Sequence, residues 1–323
     1  MMRIEVYSKP IYVVADVHGA FDIFEKYINH NELSDCVIIV AGDSGIGFYR
    51  KNYYERIFSS MNNHFIEKNI HCYMIRGNHD DPYYFDGEQI NFSNIKAISD
   101  YTIISNDKCN ILCVGGALSI DRKYRITNYW RKVEDYATVM NVTLEEAKSK
   151  FLPSYWNDEV PIFDEDILNE IKENGINIDY VITHTSPSFA FKSDKNGIEY
   201  WLRIDDALDN DLNNERSIID KLYEKLVTDG HIIKNWVYGH FHEHNDEIIN
   251  NIQFTALMNC DIIFDVKELT QYLRCSESTV RKLIRQKEIP SFRVANRIFF
   301  KRALIDAWIQ NQCLKSCEVI KNE

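Results

Sequence analysis

The sequence predicts an α/β body followed by a small helix-turn-helix module, and three observations carry that reading. Short apolar runs alternate with helical spacing at the start of the chain. After residue 93 the runs become shorter and β-rich. Beyond residue 264 the charge changes sign. Residues 264–323 carry 12 Lys and Arg against 7 Asp and Glu, a balance of +5, which leaves −17 on the remainder of a chain whose net charge is −12.

Residues 11–15 (Ile-Tyr-Val-Val-Ala) form a continuous apolar run between Pro10 and a turn at 16–19, as in a strand buried on both faces. Residues 21–28 place Phe21, Phe24, Tyr27 and Ile28 at helical spacing. A second buried strand at 37–41, a helix around 53–68 and a third strand at 71–76 complete a βαβαβ rhythm. Such a rhythm predicts parallel pairing, with ligands held at the carboxyl ends of the strands. Residues 95–99, 101–105 and 111–115 are expected in a second, more antiparallel sheet. Polar helices and an aromatic loop (Tyr155, Trp156) are expected over 121–175. Strands at 180–183 and 236–238 flank a charged helical region at 204–226.

The tail reads as a short helix at 265–273, then Ser276 as N-cap of a helix through Gln286, with Val280, Leu283 and Ile284 inward. Residues 289–299 suggest a hairpin or wing. Residues 301–312 suggest a closing helix with Leu304, Ala307 and Trp308 as its apolar stripe. The expected domains are 1–261 and 262–323.

With 323 residues, 45% hydrophobic and 27% charged, the composition is that of a globular protein with room for two modules. No apolar run approaches the ~18 residues of a membrane helix. The first ten residues contain Arg3, Glu5 and Lys9 and no apolar signal core. The eight cysteines form no Cys-x-x-Cys pair, which suits reduced thiols. A cytoplasmic protein with no membrane partner is expected. The acidic body should not attract nucleic acid; the basic tail could.

Five motifs follow apolar, strand-like runs: Asp16-x-His18-Gly19, Gly42-Asp43, Gly77-Asn78-His79-Asp80, His184 and Gly239-His240-x-His242. Carboxylates, imidazoles and a side-chain amide are ligands for hard or borderline divalent metals. On an extended strand, residues i and i+2 share a face, so Asp16/His18 and His240/His242 are each expected to grip one metal with little backbone strain. The adjoining glycines permit tight turns or a small anion.

This ordered set resembles the calcineurin-like metallophosphoesterase superfamily over about residues 10–260. The resemblance implies a four-layer α/β/β/α sandwich and two divalent ions (Mn, Fe, Zn or Ni). Asp16, His18, Asp43 and His242 would hold one ion. Asp43, Asn78, His184 and His240 would hold the other, with Asp43 bridging. Two ions roughly 3.5–4 Å apart can hold a bridging hydroxide that attacks a phosphate mono- or diester. His79 resembles the family's catalytic histidine, which would protonate the leaving oxygen or stabilise charge there; the alternative is a histidine that only bonds a neighbour. Asp80 would orient His79 or brace a turn. Protein Ser/Thr phosphatases of the superfamily have Asp and Arg where this chain has Ile46 and Gly47, which disfavours that class. Arg122 and Arg125, expected on a site-facing loop, are candidate phosphate clamps or a solvated basic turn.

The tail resembles the excisionase-like, MerR-related helix-turn-helix domain through its Glu-Ile-Pro…Phe…Val wing and Trp-bearing helix. Thr279, Arg281, Lys282, Arg285, Arg293 and Arg297 are the DNA-contact candidates, mainly toward phosphates, against a protein-interaction module. The whole reads as a metal-dependent phosphoesterase with a DNA-binding module. The rivals are a DNA-binding regulator whose body is a sensor, and a DNA-targeted nuclease.

Overall fold

The structure is a computed structural model that describes residues 2–6, 9–190, 198–258, 263–273, 275–294, 297–301, 305, 308 and 309. The chain divides into two compact units, Met1–Asn259 and Cys260–Glu323.

In chain order the first unit contains β1 (Arg3–Glu5), β2 (Ile11–Val14), α1 (Phe21–His30), β3 (Val37–Ala41), α2 (Lys51–Glu67), β4 (His71–Ile75) and β5 (Ile95–Ala97). Then come β6 (Thr102–Ser105), β7 (Asn110–Val114), α3 (Arg122–Met140), α4 (Leu144–Lys148), α5 (Glu165–Glu173) and β8 (Tyr180–Thr183). It closes with α6 (Ile198–Ile204), α7 (Leu208–Thr228), β9 (Asn235–Tyr238), β10 (Asn245–Ile249) and β11 (Ile252–Ala256).

Two sheets result. Strands β2-β3-β4-β5 form an all-parallel sheet, with Val13 opposite Ile39 and Ile39 opposite Tyr73. The other sheet runs β1-β6-β7-β8-β9-β11-β10. Only β6–β7 and β10–β11 are antiparallel there; β1–β6, β7–β8, β8–β9 and β9–β11 are parallel.

Alternation along the strands sets the layers. Ile38 and Val40 face one way, into a core with Phe21, Phe24 and Ile28 of α1 and Tyr54, Phe58, Met61 and Phe65 of α2. Val37, Ile39 and Ala41 face the other way and meet Ile104, Ile111, Cys113, Ile182 and Val237 of the larger sheet. That sheet's opposite face, with Leu112, Val114, Val181 and Trp236, packs on Leu168 and Ile171 of α5 and Ile219, Leu222 and Leu226 of α7. Helices, sheet, sheet and helices are thus stacked as four layers, each interface buried by one face of an alternating strand.

Three expectations need correction. Residues 95–97 belong to the first sheet, parallel to β4, because the loop after β4 carries the chain back along the same edge. The second sheet is mostly parallel, because the helical connections α3–α5 and α6–α7 separate its central strands and return the chain to the same end. Arg122 and Arg125 stand on the first turn of helix α3 rather than on a loop.

The second unit contains β12 (Ile263–Asp265), α8 (Val266–Tyr272), α9 (Glu277–Gln286), β13 (Phe292–Val294) and β14 (Arg297–Lys301). The Ser276 hydroxyl accepts from the backbone N–H of Thr279 at 3.2 Å and caps α9. The three strands order β12-β14-β13, antiparallel, with Val294 opposite Arg297 across the hairpin. Leu269, Val280, Ile289, Phe300 and Ile305 are buried. Lys301 ends a strand rather than opening a helix. Most of the expected closing helix, Leu304 and Ala307 included, lies outside the described residues.

Candidate metal centre

Each motif lies just past the carboxyl end of a parallel strand: Asp16 after β2, Asp43 after β3, Asn78 after β4, His184 after β8 and His240 after β9. Because β2–β4 and β8–β9 belong to facing sheets, their ends converge. Backbone bonds hold the loops together: the amide of His18 donates to the carbonyl of Asp43 at 2.7 Å, and that of Gly239 to the carbonyl of His184 at 3.1 Å.

The Asp-x-His and His-x-His pairs are not extended as expected. Asp16 (φ 56°), His18 (φ 49°), His240 (φ 71°) and His242 (φ 55°) all adopt the left-handed conformation, as does Asp43 (φ 50°). Asp and His are among the side chains for which this region is least unusual, yet each such residue costs roughly 1–2 kcal/mol. The two side chains of a pair meet through a tight turn, and the surrounding packing maintains the strain.

Ligand atoms of Asp16, His18, Asp43 and His242 all lie within 4.8 Å of one another, and so do those of Asp43, His184 and His240. Asp43 belongs to both groups. Its Oδ1 is 3.2 Å from His184 Nε2 and its Oδ2 is 3.8 Å from His18 Nε2, so its two oxygens face different clusters. The Nε2 atoms of His18 and His242 approach to 3.2 Å. Asn78 Oδ1 sits 3.1 Å from His184 Nε2, while His184 Nδ1 is 2.8 Å from the Ala41 carbonyl. The seven side chains are brought to one place.

The electrostatics suit a cation site. Burial, reinforced by the charges of Asp43 and Asp80, pushes the Asp16 carboxyl up to about 8. Burial would lower His184, but the Asp43 charge and hydrogen bond, with Asp16, raise it to about 9. Burial would raise Asp43, but His184, His79 and His18 hold its carboxyl well below the usual range. Burial, with His184, lowers His240 to about 3. Asp16 is only 3% exposed and its Oδ2 has no hydrogen-bond partner. Ligand binding by such groups exchanges protons for metal. The donor set of carboxylate, imidazole and amide fits divalent ions.

The glycines leave room for this convergence. A Cβ on Gly42, itself at φ +88°, would run into the His184 ring. One on Gly77 would collide with Asp43.

Asp80 braces a turn. Its carboxylate accepts backbone N–H groups of Ser44, Gly45, Ile46 and Gly77 at 2.8–3.1 Å, tying the loops after β3 and β4 together. Burial and the neighbouring Asp43 raise it to about 7. Ile46 is fully buried, and a Cβ on Gly47 would strike Asp81 and Trp156, so neither position can present a polar side chain to the centre.

The imidazole of His79 packs edge-on against His18 with centroids 4.9 Å apart, and its backbone N–H donates to Asp43 Oδ1 at 2.7 Å. Its Nε2 is 2.8 Å from a terminal nitrogen of Arg125. Burial, then the Arg125 charge, hold His79 well below the usual histidine range. Arg122 is engaged elsewhere, with Asp205 and Asp211 at 2.7 Å each, so its guanidinium anchors α3 to the α7 region.

Sequence reading overlooked a buried support. Asn78 Nδ2 donates to Ser119 Oγ at 3.2 Å, which turns the amide oxygen toward His184. Ser119 is itself held by Glu159 through its N–H (2.6 Å) and hydroxyl (2.9 Å). Glu215 takes the Leu118 N–H and the Thr185 hydroxyl. Arg76 clamps Asp100 and the carbonyls of Asp158, Glu159 and Val160. Nothing in the sequence marks Glu159 or Glu215 as buried.

In the second unit Thr279, Arg281, Lys282 and Arg285 are exposed on α9. Arg281 pairs with Glu277 at 2.6 Å. Arg293 and Arg297 lie on β13 and β14 of the hairpin.

Among solved structures the chain is similar to a candidate 5′-nucleotidase from Staphylococcus aureus, at 12% identity over 77% of this chain with a TM-score of 0.36. The chain spans 48% of that protein. It is also similar to a phosphopantetheinyl hydrolase from Mycobacterium tuberculosis (13% identity, 79% of this chain, 91% of the other, TM-score 0.34). A third is the anchor of the inner membrane complex of Plasmodium (13% identity, 77% and 70%, TM-score 0.35). No curated protein matches. No described helix is long and apolar enough to cross a membrane. Residues 263–313 match the helix-turn-helix domain family. Residues 9–244 match the calcineurin-like phosphoesterase family, and the chain belongs to that family.

Proposed function

We propose that the body hydrolyses a phosphate mono- or diester with two divalent ions, and that the C-terminal unit binds DNA. The observation that carries the reading is Asp43, whose two carboxylate oxygens face two ligand clusters. Asp16, His18, Asp43 and His242 would hold one ion, and Asp43, Asn78, His184 and His240 the other. When bound, such ions polarise the phosphoryl oxygens and activate water at neutral pH.

The protein's own groups do the rest. Asp80 fixes the Asp43 loop against the Asn78 loop through its four backbone N–H bonds. Ser119 orients the Asn78 amide. His79, beside His18 and Asp43, is placed to donate a hydrogen bond to the leaving oxygen as charge develops there. On α9, Lys282 and Arg285 offer exposed cations to a phosphate backbone.

Elemental analysis, paired with hydrolysis of p-nitrophenyl phosphate and its bis ester, tests the body. Two equivalents of metal and turnover lost in Asp43→Ala are expected. Undiminished turnover in that variant, or none with Mn²⁺, Fe²⁺, Co²⁺, Ni²⁺ or Zn²⁺, refutes the proposal. For the DNA-binding unit, fluorescence anisotropy of the full chain should show salt-sensitive duplex binding that Lys282→Ala/Arg285→Ala weakens, lowering the salt slope by about 2. No binding at low salt removes that half.

A further inference from the structure

We infer that Arg125, on α3, is the positioning residue of His79. The inference rests on the phosphoesterase reading above and names how its histidine is set. Ile46 is buried and Gly47 has no space for a side chain, so neither gives the His79 ring a polar partner, and the loop's Asp43 bonds the His79 backbone N–H. Arg125 approaches instead, with a terminal nitrogen 2.8 Å from His79 Nε2.

A guanidinium carries donors and no acceptor. The Arg125 N–H therefore donates, His79 Nε2 accepts through its lone pair, and the ring hydrogen resides on Nδ1. Arg125 is itself fixed. It is 9% exposed, its Nε pairs with Asp121 at 2.7 Å one turn earlier, and its other terminal nitrogen reaches the Ser154 carbonyl at 3.4 Å. Three of its five N–H donors are thus used, and the imidazole held by one of them packs edge-on against His18. His79 accordingly offers its Nδ1–H as a preset donor, in place of a ring that exchanges its proton between two tautomers.

Long-range ¹H–¹⁵N spectra of the labelled full-length protein, with His79 assigned by its loss in His79→Gln, read the tautomer directly. Expected is the Nδ1–H form in the wild type and its loss in Arg125→Ala. An Nε2–H form in the wild type, or an unchanged pattern in Arg125→Ala, overturns the inference. In bis(p-nitrophenyl) phosphate turnover, Arg125→Ala should lower kcat by roughly 10–100-fold, the range for groups that orient a working residue. KM should stay within about threefold. The same change in a His79→Ala background should cost nothing further, because a residue acting through another is non-additive with it. Arg125→Lys retains cationic N–H donors and most of the side-chain length, and should recover part of kcat. Additive losses show that Arg125 acts on substrate by itself and refute the assignment. A wild type without turnover would sink the phosphoesterase reading, whereas the spectra would still decide the Arg125–His79 pairing.

Discussion

Replacing Gly77 by alanine inserts one methyl group at the point where the two ligand clusters meet. The backbone of Gly77 does not lie in the left-handed region, so alanine brings no conformational strain there and the effect is steric. The new Cβ would overlap Asp43 Oδ1 and the Asp43 amide nitrogen, and would stand 2.8 Å from His184 Nε2. Real Cβ contacts do not occur at such distances, so the Asp43 carboxylate or the His184 ring must move. Neither can do so cheaply: His184 is fully buried with Nδ1 held at the Ala41 carbonyl, and Asp43 is 1% exposed. Overpacking of this kind costs about 1–3 kcal/mol in stability. Misplacing ligands typically loses about 10–100-fold in metal affinity. Gly175→Ala is the control. Its φ of +63° carries strain but no atom lies within 4 Å of the added methyl, so stability should fall while metal content holds. Metal per chain after dialysis, with thermal melts of the variants, is the assay. Full metal content and wild-type turnover in Gly77→Ala would refute the geometry on which the centre is built.

Two further outcomes follow from the support around the site. Burial, against the pull of Ser119 and Arg125, raises Glu159 from 4.5 to about 8, so its neutral form favours the fold below the unfolded value and that contribution is lost as pH rises through about 8. Glu159→Gln stays neutral. It should melt like the wild type at pH near 5 and gain on it above pH 8 by a few kcal/mol, on the order expected for such a shift; parallel curves would contradict the burial argument. Arg122→Ala leaves Asp205, 5% exposed, without its partner and should lower stability by about 2–4 kcal/mol with KM unchanged. A tenfold rise in KM without a change in melting temperature would return Arg122 to the list of phosphate contacts.

Much of the architecture was legible in the pattern of residues. The runs ending at Asp16, Asp43 and Asn78 announced parallel strands because a strand buried on both faces must be apolar throughout. The chemistry-bearing groups were visible because Asp, His and Asn beside glycine are conspicuous after such runs. Their left-handed turns were not, since i and i+2 spacing is the same in an extended strand and in a tight loop. Residues 95–97 were assigned to the wrong sheet because a three-residue strand has no period that names its neighbour.

What local chemistry dictated, then, is which segments are strands and helices, which groups can bind metal, and where acidic gives way to basic. Long-range contact decided the remainder. The choice of Arg125 over Arg122 beside His79 depends on Asp121, Asp205 and Asp211, the last two more than eighty residues away from Arg122. Glu159 and Glu215 become buried anchors only through partners distant in the chain, among them the backbone N–H groups of Ser119 and Leu118, which every residue type but proline provides. A sequence records the donors and acceptors; burial selects which of them must find each other.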